Sequence, residues 1–177
     1  RIKLLLNSEK NNGSVCRNFG ANLAQYDHLI FLDSDDIITA EFVANRQVEF
    51  VTNFTVFQNT GVIDFNGSIQ DSLKVDGRYL DHFLNAQFIW PITAVLWNKT
   101  FFNSIGQFHP TLMRLQDVEL MIRVLQKSNS YEVLDNPVDF YYLVKPIRER
   151  KGLLVPVCES VQCMNTNILD AYDLSAS

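Results

Sequence analysis

Strand, helix and strand succeed one another within the first thirty-odd residues, and this order restricts the fold more than anything else in the sequence. Ile2-Lys3-Leu4-Leu5-Leu6 is an apolar run that reads as a strand already in progress at Arg1, which leads us to expect further chain upstream. Asn7 through Ser14 is polar and contains Gly13, which is turn chemistry. Val15, Phe19, Leu23 and Tyr26 then recur at helical spacing, with Gly20, Ala21 and Ala24 leaving room for close packing. Leu29-Ile30-Phe31-Leu32 is a short unbroken apolar run, as in a strand buried on both faces. Such a unit predicts a crossover between parallel strands, hence an α/β class with helices on the sheet faces.

Beyond it the pattern predicts a helix over 40–51, strand or irregular structure over 56–65, and a short helix over 78–84. A strand over 92–97 and a helical turn over 100–105, ended by Gly106, follow. Asp117, Leu120, Met121, Val124 and Leu125 share one stripe of a further helix, which places a carboxylate on its core-facing side. Pro146, Pro156 and the unpatterned stretch from Gly152 to Ser177 give no clear period. The expected organisation is one partial domain over 1–177, in segments over 1–36, 37–145 and a tail over 146–177.

Composition narrows the function classes. With 177 residues, 47% of them apolar, the chain can build a substantial core. Its net charge of -5 and scattered basic residues argue against a nucleic-acid partner. No apolar run approaches the roughly 18 residues of a spanning helix, so membrane contact, if any, is expected to be peripheral, at the inner face. Cys16, Cys158 and Cys163 show neither a CxxC pair nor a zinc-like spacing with His, which favours a reducing, cytoplasmic setting.

Asp33, Ser34, Asp35 and Asp36 follow the apolar run directly, at the carboxyl end of a strand, where open α/β sheets bind ligands. On an extended backbone Asp33 and Asp35 would project to the same side. Two carboxylates about 4 Å apart repel by about 4 kcal/mol at an effective dielectric near 20, which a cation or a proton must offset. Oxygen ligands select Mg²⁺ or Mn²⁺, and such an ion can bridge protein and diphosphate. A bland alternative is that Asp36 only caps a helix. An EF-hand loop is excluded by Ile38 where its glycine is required.

Asn12-Gly13, Arg17-Asn18-x-Gly20 and Phe31-Leu32-Asp33-Ser34-Asp35-Asp36 together resemble the family 2 glycosyltransferases. Trp97, Ile105-Gly106-x-Phe108, Gln116-Asp117-x-Glu119-Leu120 and Arg123 are similar to that family's acceptor-side segment, so the likeness spans about residues 2–145. It implies a GT-A-type fold with a mostly parallel central sheet and helices on both faces, a Rossmann-like nucleotide-diphosphosugar transferase lacking its N-terminal nucleobase-binding βαβ unit. It also implies an inverting transfer of sugar from a nucleotide-sugar donor to a saccharide or lipid-linked acceptor, in polysaccharide or glycoconjugate synthesis.

By the same resemblance Asp33 and Arg17 contact the donor nucleotide, Asp35 ligates Mn²⁺ or Mg²⁺, and Asp117 is the base that deprotonates the acceptor hydroxyl. Gln116 and His109 stand where the family often has acids. Tyr142, Arg148 and Arg150 are candidates for phosphate contacts, and Trp90 for stacking on a sugar face. A position in the first turn of a helix should keep Asp117 ionised at neutral pH. Two competing readings are a GT-A-fold binding module without catalysis and a nucleotidyltransferase, which also uses paired carboxylates and Mg²⁺.

Overall fold

A computed structural model describes residues 3–6, 12–49, 52–71, 74–85, 87–144 and 154–164. In chain order the elements are α1 (Gly13–Leu23), β1 (His28–Ile30), β2 (Ile37–Ile38), a 3₁₀ turn (Ala44–Arg46), β3 (Phe54–Phe57), β4 (Gly61–Ile63) and β5 (Ile69–Asp71). Then come α2 (Tyr79–Leu84), a 3₁₀ turn (Ile92–Ala94), β6 (Val95–Asn98), α3 (Lys99–Ser104), α4 (Gln116–Lys127), β7 (Tyr131–Leu134), β8 (Phe140–Leu143) and α5 (Leu154–Cys163). No helix among the described residues is long and apolar enough to cross a membrane.

The class is α/β, but the expected mostly parallel sheet is replaced by two four-stranded mixed sheets, ordered β1-β6-β3-β7 and β2-β8-β4-β5. Among the described residues only β3 with β7 and β4 with β8 run parallel; the other pairings are antiparallel. The predicted opening crossover is not formed among the described residues, because 3–6 lies outside any strand and β1 pairs antiparallel with β6; residue 2 of the predicted strand lies outside the described residues. Within β1 only Leu29 is buried, so this strand is not covered on both faces.

The two parallel pairs are consecutive. The chain leaves β3 for β4 just where its partner leaves β7 for β8, and Asn59 and Asn136 bind the two crossings together. Asn59 Nδ2 donates to the Asp135 carboxylate and the Asn136 carbonyl, both at 2.6 Å, and Asn136 Oδ1 accepts from the Asn59 amide at 3.3 Å. In the second sheet Gly61 sits opposite Tyr141, where an added Cβ would lie 2.0 Å from the tyrosine ring, so only glycine fits.

Aromatic side chains fill the core around the first sheet. Phe31 meets Phe102 and Phe108 with ring centroids 5.3 Å apart, and Trp97 meets Phe54 and Phe102 at 5.3 and 5.5 Å. The predicted strand over 92–97 begins as a 3₁₀ turn and becomes β6 only at Val95. The short helices near 79 and 100 form as the pattern indicates.

Of the predicted helix over 40–51, the described part, 40–49, reduces to a 3₁₀ turn at Ala44–Arg46, and 50–51 lie outside the described residues. Arg46 is turned inward, where its Nη2 donates to Asp139 at 2.9 Å and its Nη1 also bonds that carboxylate. The guanidinium lies 3.9 Å from the Phe42 ring centroid and 4.2 Å from that of Phe57. A regular helix would carry Arg46 away from this partner, so the tertiary ion pair overrides local propensity. Asp139→Ala leaves a buried guanidinium uncompensated and should lower unfolding free energy by about 3 kcal/mol or more. Urea denaturation checks this; a loss below about 1 kcal/mol contradicts it.

Candidate functional site

The inward side of α1 is polar. Ser14, Arg17, Asn18 and Ala21, spaced i, i+3, i+4 and i+7, turn toward the protein, whereas Phe19, Leu23 and Tyr26 of the predicted apolar stripe are exposed. Hydrogen bonds decide this rotation. Asn12 caps the helix by accepting from the Val15 amide at 3.0 Å, and its amide nitrogen donates to the Pro110 carbonyl at 2.6 Å. Asn18 clasps Phe108 twice, donating to its carbonyl at 2.8 Å and accepting from its amide at 3.0 Å. Arg17 Nη2 pairs with Asp33 Oδ1 at 2.5 Å, while Nη1 donates to Gln116 Oε1 at 2.8 Å. At Gly13 a Cβ would lie 3.0 Å from Arg17 Nη1 and 3.2 Å from Gln116 Oε1, so glycine leaves space for that pairing.

The turn held by Phe108 is itself clamped from α4. Gly106 and Gln107 have φ of 89° and 59°, and Arg123 donates to the carbonyls of Ile105 and Gln107 while paired with the buried Glu119 at 2.7 Å. Glu119 and Arg123 therefore shape the Gly-x-Phe turn.

The acidic segment is a turn, not an extended strand end. The Asp36 amide donates back to the Asp33 carbonyl at 3.1 Å, so Asp33 and Asp35 do not alternate as strand residues. Asp36 precedes β2 and caps no helix; the Thr93 hydroxyl donates to its carboxylate at 2.5 Å. Burial raises its pKa most, opposed by the Thr93 bond and assisted by the nearby Asp33 and Asp35 charges. Asp35 is exposed. Oxygen donors of this kind fit a hard cation held by one or two carboxylates and completed by phosphate oxygens. Among the described residues no three His, Cys, Asp or Glu side chains group as a closed metal cage.

Asp117 occupies the first turn of α4, whose N-cap, Leu115, has φ 56° and makes no side-chain cap. Left-handed backbone at a leucine costs on the order of 1–2 kcal/mol. The preceding loop is tied down by Gln116 Nε2, which donates to the Leu112 carbonyl at 2.8 Å, and by the Arg114 amide, which donates to Ser160 Oγ of α5 at 3.0 Å. The tail without visible period thus contributes a helix that buttresses the site. Burial pushes the Asp117 carboxyl up to about 6, with Arg17 pulling it down and Asp33 and Asp36 adding to the rise. The helix terminus alone would shift it the other way, so desolvation is the stronger effect here.

Arg17, Asp33 and Asp117 line one cavity of about 510 Å³, together with Phe88, Arg114 and Gln116. Asp35 lies on the adjoining turn and does not line it. Trp90 is buried against Tyr79 and Phe83, with centroids 4.5 and 5.5 Å away, so it is a core residue with no face for a sugar. Tyr142 stands in a neighbouring cavity, and Arg148 and Arg150 lie outside the described residues. The sequence reading gave no role to Arg114, Phe88 or the Arg17–Gln116 bond. Adjacency to Gln116-Asp117 and to Trp90 was the available signal for the first two.

No protein-family model matches the chain, and no curated protein sequence matches it. Solved structures do. S. aureus TarS residues 1–349 in complex with UDP-GlcNAc matches with a TM-score of 0.54 at 16% identity, covering 80% of this chain and 41% of that one. A second crystal structure of TarS 1–349 gives 0.51 at 13% identity, covering 97% and 57%. The chain thus spans roughly half the length of the TarS chains it matches. At these identities the likeness is one of fold: this α/β arrangement of two mixed sheets and helices resembles that of TarS.

Proposed function

We propose that the chain carries the catalytic crevice of an inverting glycosyltransferase that moves a sugar from a nucleotide-diphosphate donor to a hydroxyl acceptor. The carrying observation is the shared cavity, in which Arg17 and Arg114 offer positive charge to a diphosphate and Asp117 offers a desolvated carboxylate. The fold likeness to TarS, a protein seen with UDP-GlcNAc, supports a nucleotide-sugar donor, and the motif resemblance to family 2 glycosyltransferases supports the reaction. Surface polysaccharide or glycoconjugate synthesis is the setting such chemistry serves.

In this reading Asp117 accepts the proton of the acceptor hydroxyl. The acceptor oxygen forms its bond to the anomeric carbon as the bond to the diphosphate oxygen breaks, its electron pair leaving with the diphosphate. A pKa near 6 makes Asp117 a stronger base than an ordinary carboxylate while leaving it mostly ionised at neutral pH. Asp33 contacts the donor nucleotide, and the Arg17 bond sets its position. Asp35 would hold Mn²⁺ or Mg²⁺, which when bound supplies positive charge to the departing diphosphate.

Calorimetry with UDP, in the presence and absence of Mn²⁺, tests the donor side: Mn²⁺ should tighten UDP binding, and Asp35→Asn should remove that coupling. Undiminished coupling in the variant would exclude Asp35 as a ligand. On the chemical side, Asp117→Asn in the complete enzyme should lower turnover at least about 100-fold with UDP affinity little changed. Full turnover would remove Asp117 from the mechanism. Because the ionised form is the base, kcat/KM for the unsubstituted enzyme should rise with pH through about 6 and level off above it. A profile flat from pH 4.5 to 7.5 contradicts that assignment.

A further inference from the structure

Beside the crevice lies a second cavity, of about 480 Å³, within the range of roughly 300–1,000 Å³ typical of small-molecule sites. Phe88 lines both cavities and is 49% exposed, so it is shared between them. Tyr142 of β8 meets Phe88 edge-on, with centroids 6.3 Å apart and planes at 87°. Apolar walls are supplied by Val62, Ile89 and Pro91, and polar groups by Gln70, Asp71 and Gln87.

Charge distinguishes the two cavities. The first contains Arg17 and Arg114, whereas no Lys or Arg among the described residues lines the second, and Asp71 gives it a carboxylate. His82 also borders it, but its ring nitrogens are engaged by Gln87 Oε1 at 2.5 Å and the Asp76 carbonyl at 2.8 Å. That contact orients the Gln87 amide and leaves its Nε2 hydrogens to donate elsewhere. Exposed aromatic faces beside amide donors, amide acceptors and a carboxylate suit the apolar faces and hydroxyl edges of a pyranose. A phosphorylated ligand would meet the Asp71 charge with no Lys or Arg in the described lining to offset it; the His82 ring, whose pKa is raised by its bonds to the Asp76 carbonyl and Gln87, already commits both nitrogens to those partners.

We propose that this second cavity is the acceptor subsite and that it takes a neutral saccharide, whose reacting hydroxyl passes the Phe88 ring to reach Asp117. The proposal rests on the glycosyltransferase reading for its link to Asp117, and on the cavity alone for its ligand. Phe88 stands at the junction of donor and acceptor chambers, and Gln70 and Asp71 of the edge strand hydrogen-bond the sugar.

The test is saturation-transfer NMR on the full chain with maltotriose, cellotriose and chitotriose as neutral probes, and glucose 6-phosphate and glycerol 3-phosphate as anionic ones. At least one neutral trisaccharide should bind, the anions should not compete for its site, and Gln70→Ala should weaken it at least about tenfold. Asp71→Lys should reverse the preference by admitting the phosphorylated probes. Far-UV circular dichroism and thermal melting of the same samples report whether each variant is folded. Binding of the anionic probes alone to the unsubstituted chain, binding of none, or neutral-sugar binding indifferent to Gln70 and Asp71 would each overturn the proposal. Saccharide binding without Mn²⁺-linked UDP binding would sink the donor reading and keep this site; the converse would sink this site and keep the donor reading.

Discussion

A single guanidinium organises the site. Arg17 reaches from α1 to Asp33 on the acidic turn and to Gln116 at the start of α4, three segments distant in sequence. Its planar fork allows both bonds at once, which a lysine could not reproduce. The pairing is half-buried, with side-chain exposures of 20% for Arg17 and 37% for Asp33, so its worth lies in geometry more than in Coulomb energy. Around it Asn12, Asn18 and Gly13 serve the same end: the first two fix α1 to the loop before α4, and the third leaves room for the contact.

The arrangement explains the electrostatics of Asp117. Burial raises its proton affinity, and the Arg17 charge moderates the rise. An acid in the first turn of an exposed helix would be a weak base, and one buried without a cation would hold its proton at neutral pH. Set between these limits, the carboxyl lies in a range where it can both be ionised and accept a proton. The strained Leu115 backbone two residues before it fits the tendency of such strain to collect at working sites.

Much of this was legible in the sequence, and the failures have physical reasons. The short helix at 79–84 and the α4 helix with Asp117 toward its inner side followed from spacing; that Arg17, Asp33 and Asp117 line one cavity was signalled by the family resemblance alone. The sheet direction did not, because an apolar run reports burial and not the direction of its partner: Leu29-Ile30-Phe31-Leu32 reads alike whether β6 runs with it or against it. The face of α1 was misread since hydrophobic periodicity marked Phe19, Leu23 and Tyr26, whereas the contacts that set the helix are made by Arg17 and Asn18. Trp90 looked like a sugar platform by residue type alone, and burial removes it; Phe88, two positions earlier, has the exposed ring. Arg46 shows the limit of local propensity, since Asp139, 93 residues away, determines its conformation.

In the proposed function, Arg17, Asp33 and Asp117 form one donor-binding crevice. A crystal structure of the chain with UDP-GlcNAc and Mn²⁺ tests it most directly. The diphosphate should lie beside Arg17, the ribose within hydrogen-bonding reach of Asp33, and the anomeric carbon facing Asp117. Nucleotide bound at another surface, or an Asp117 carboxylate turned away from the sugar, would contradict it.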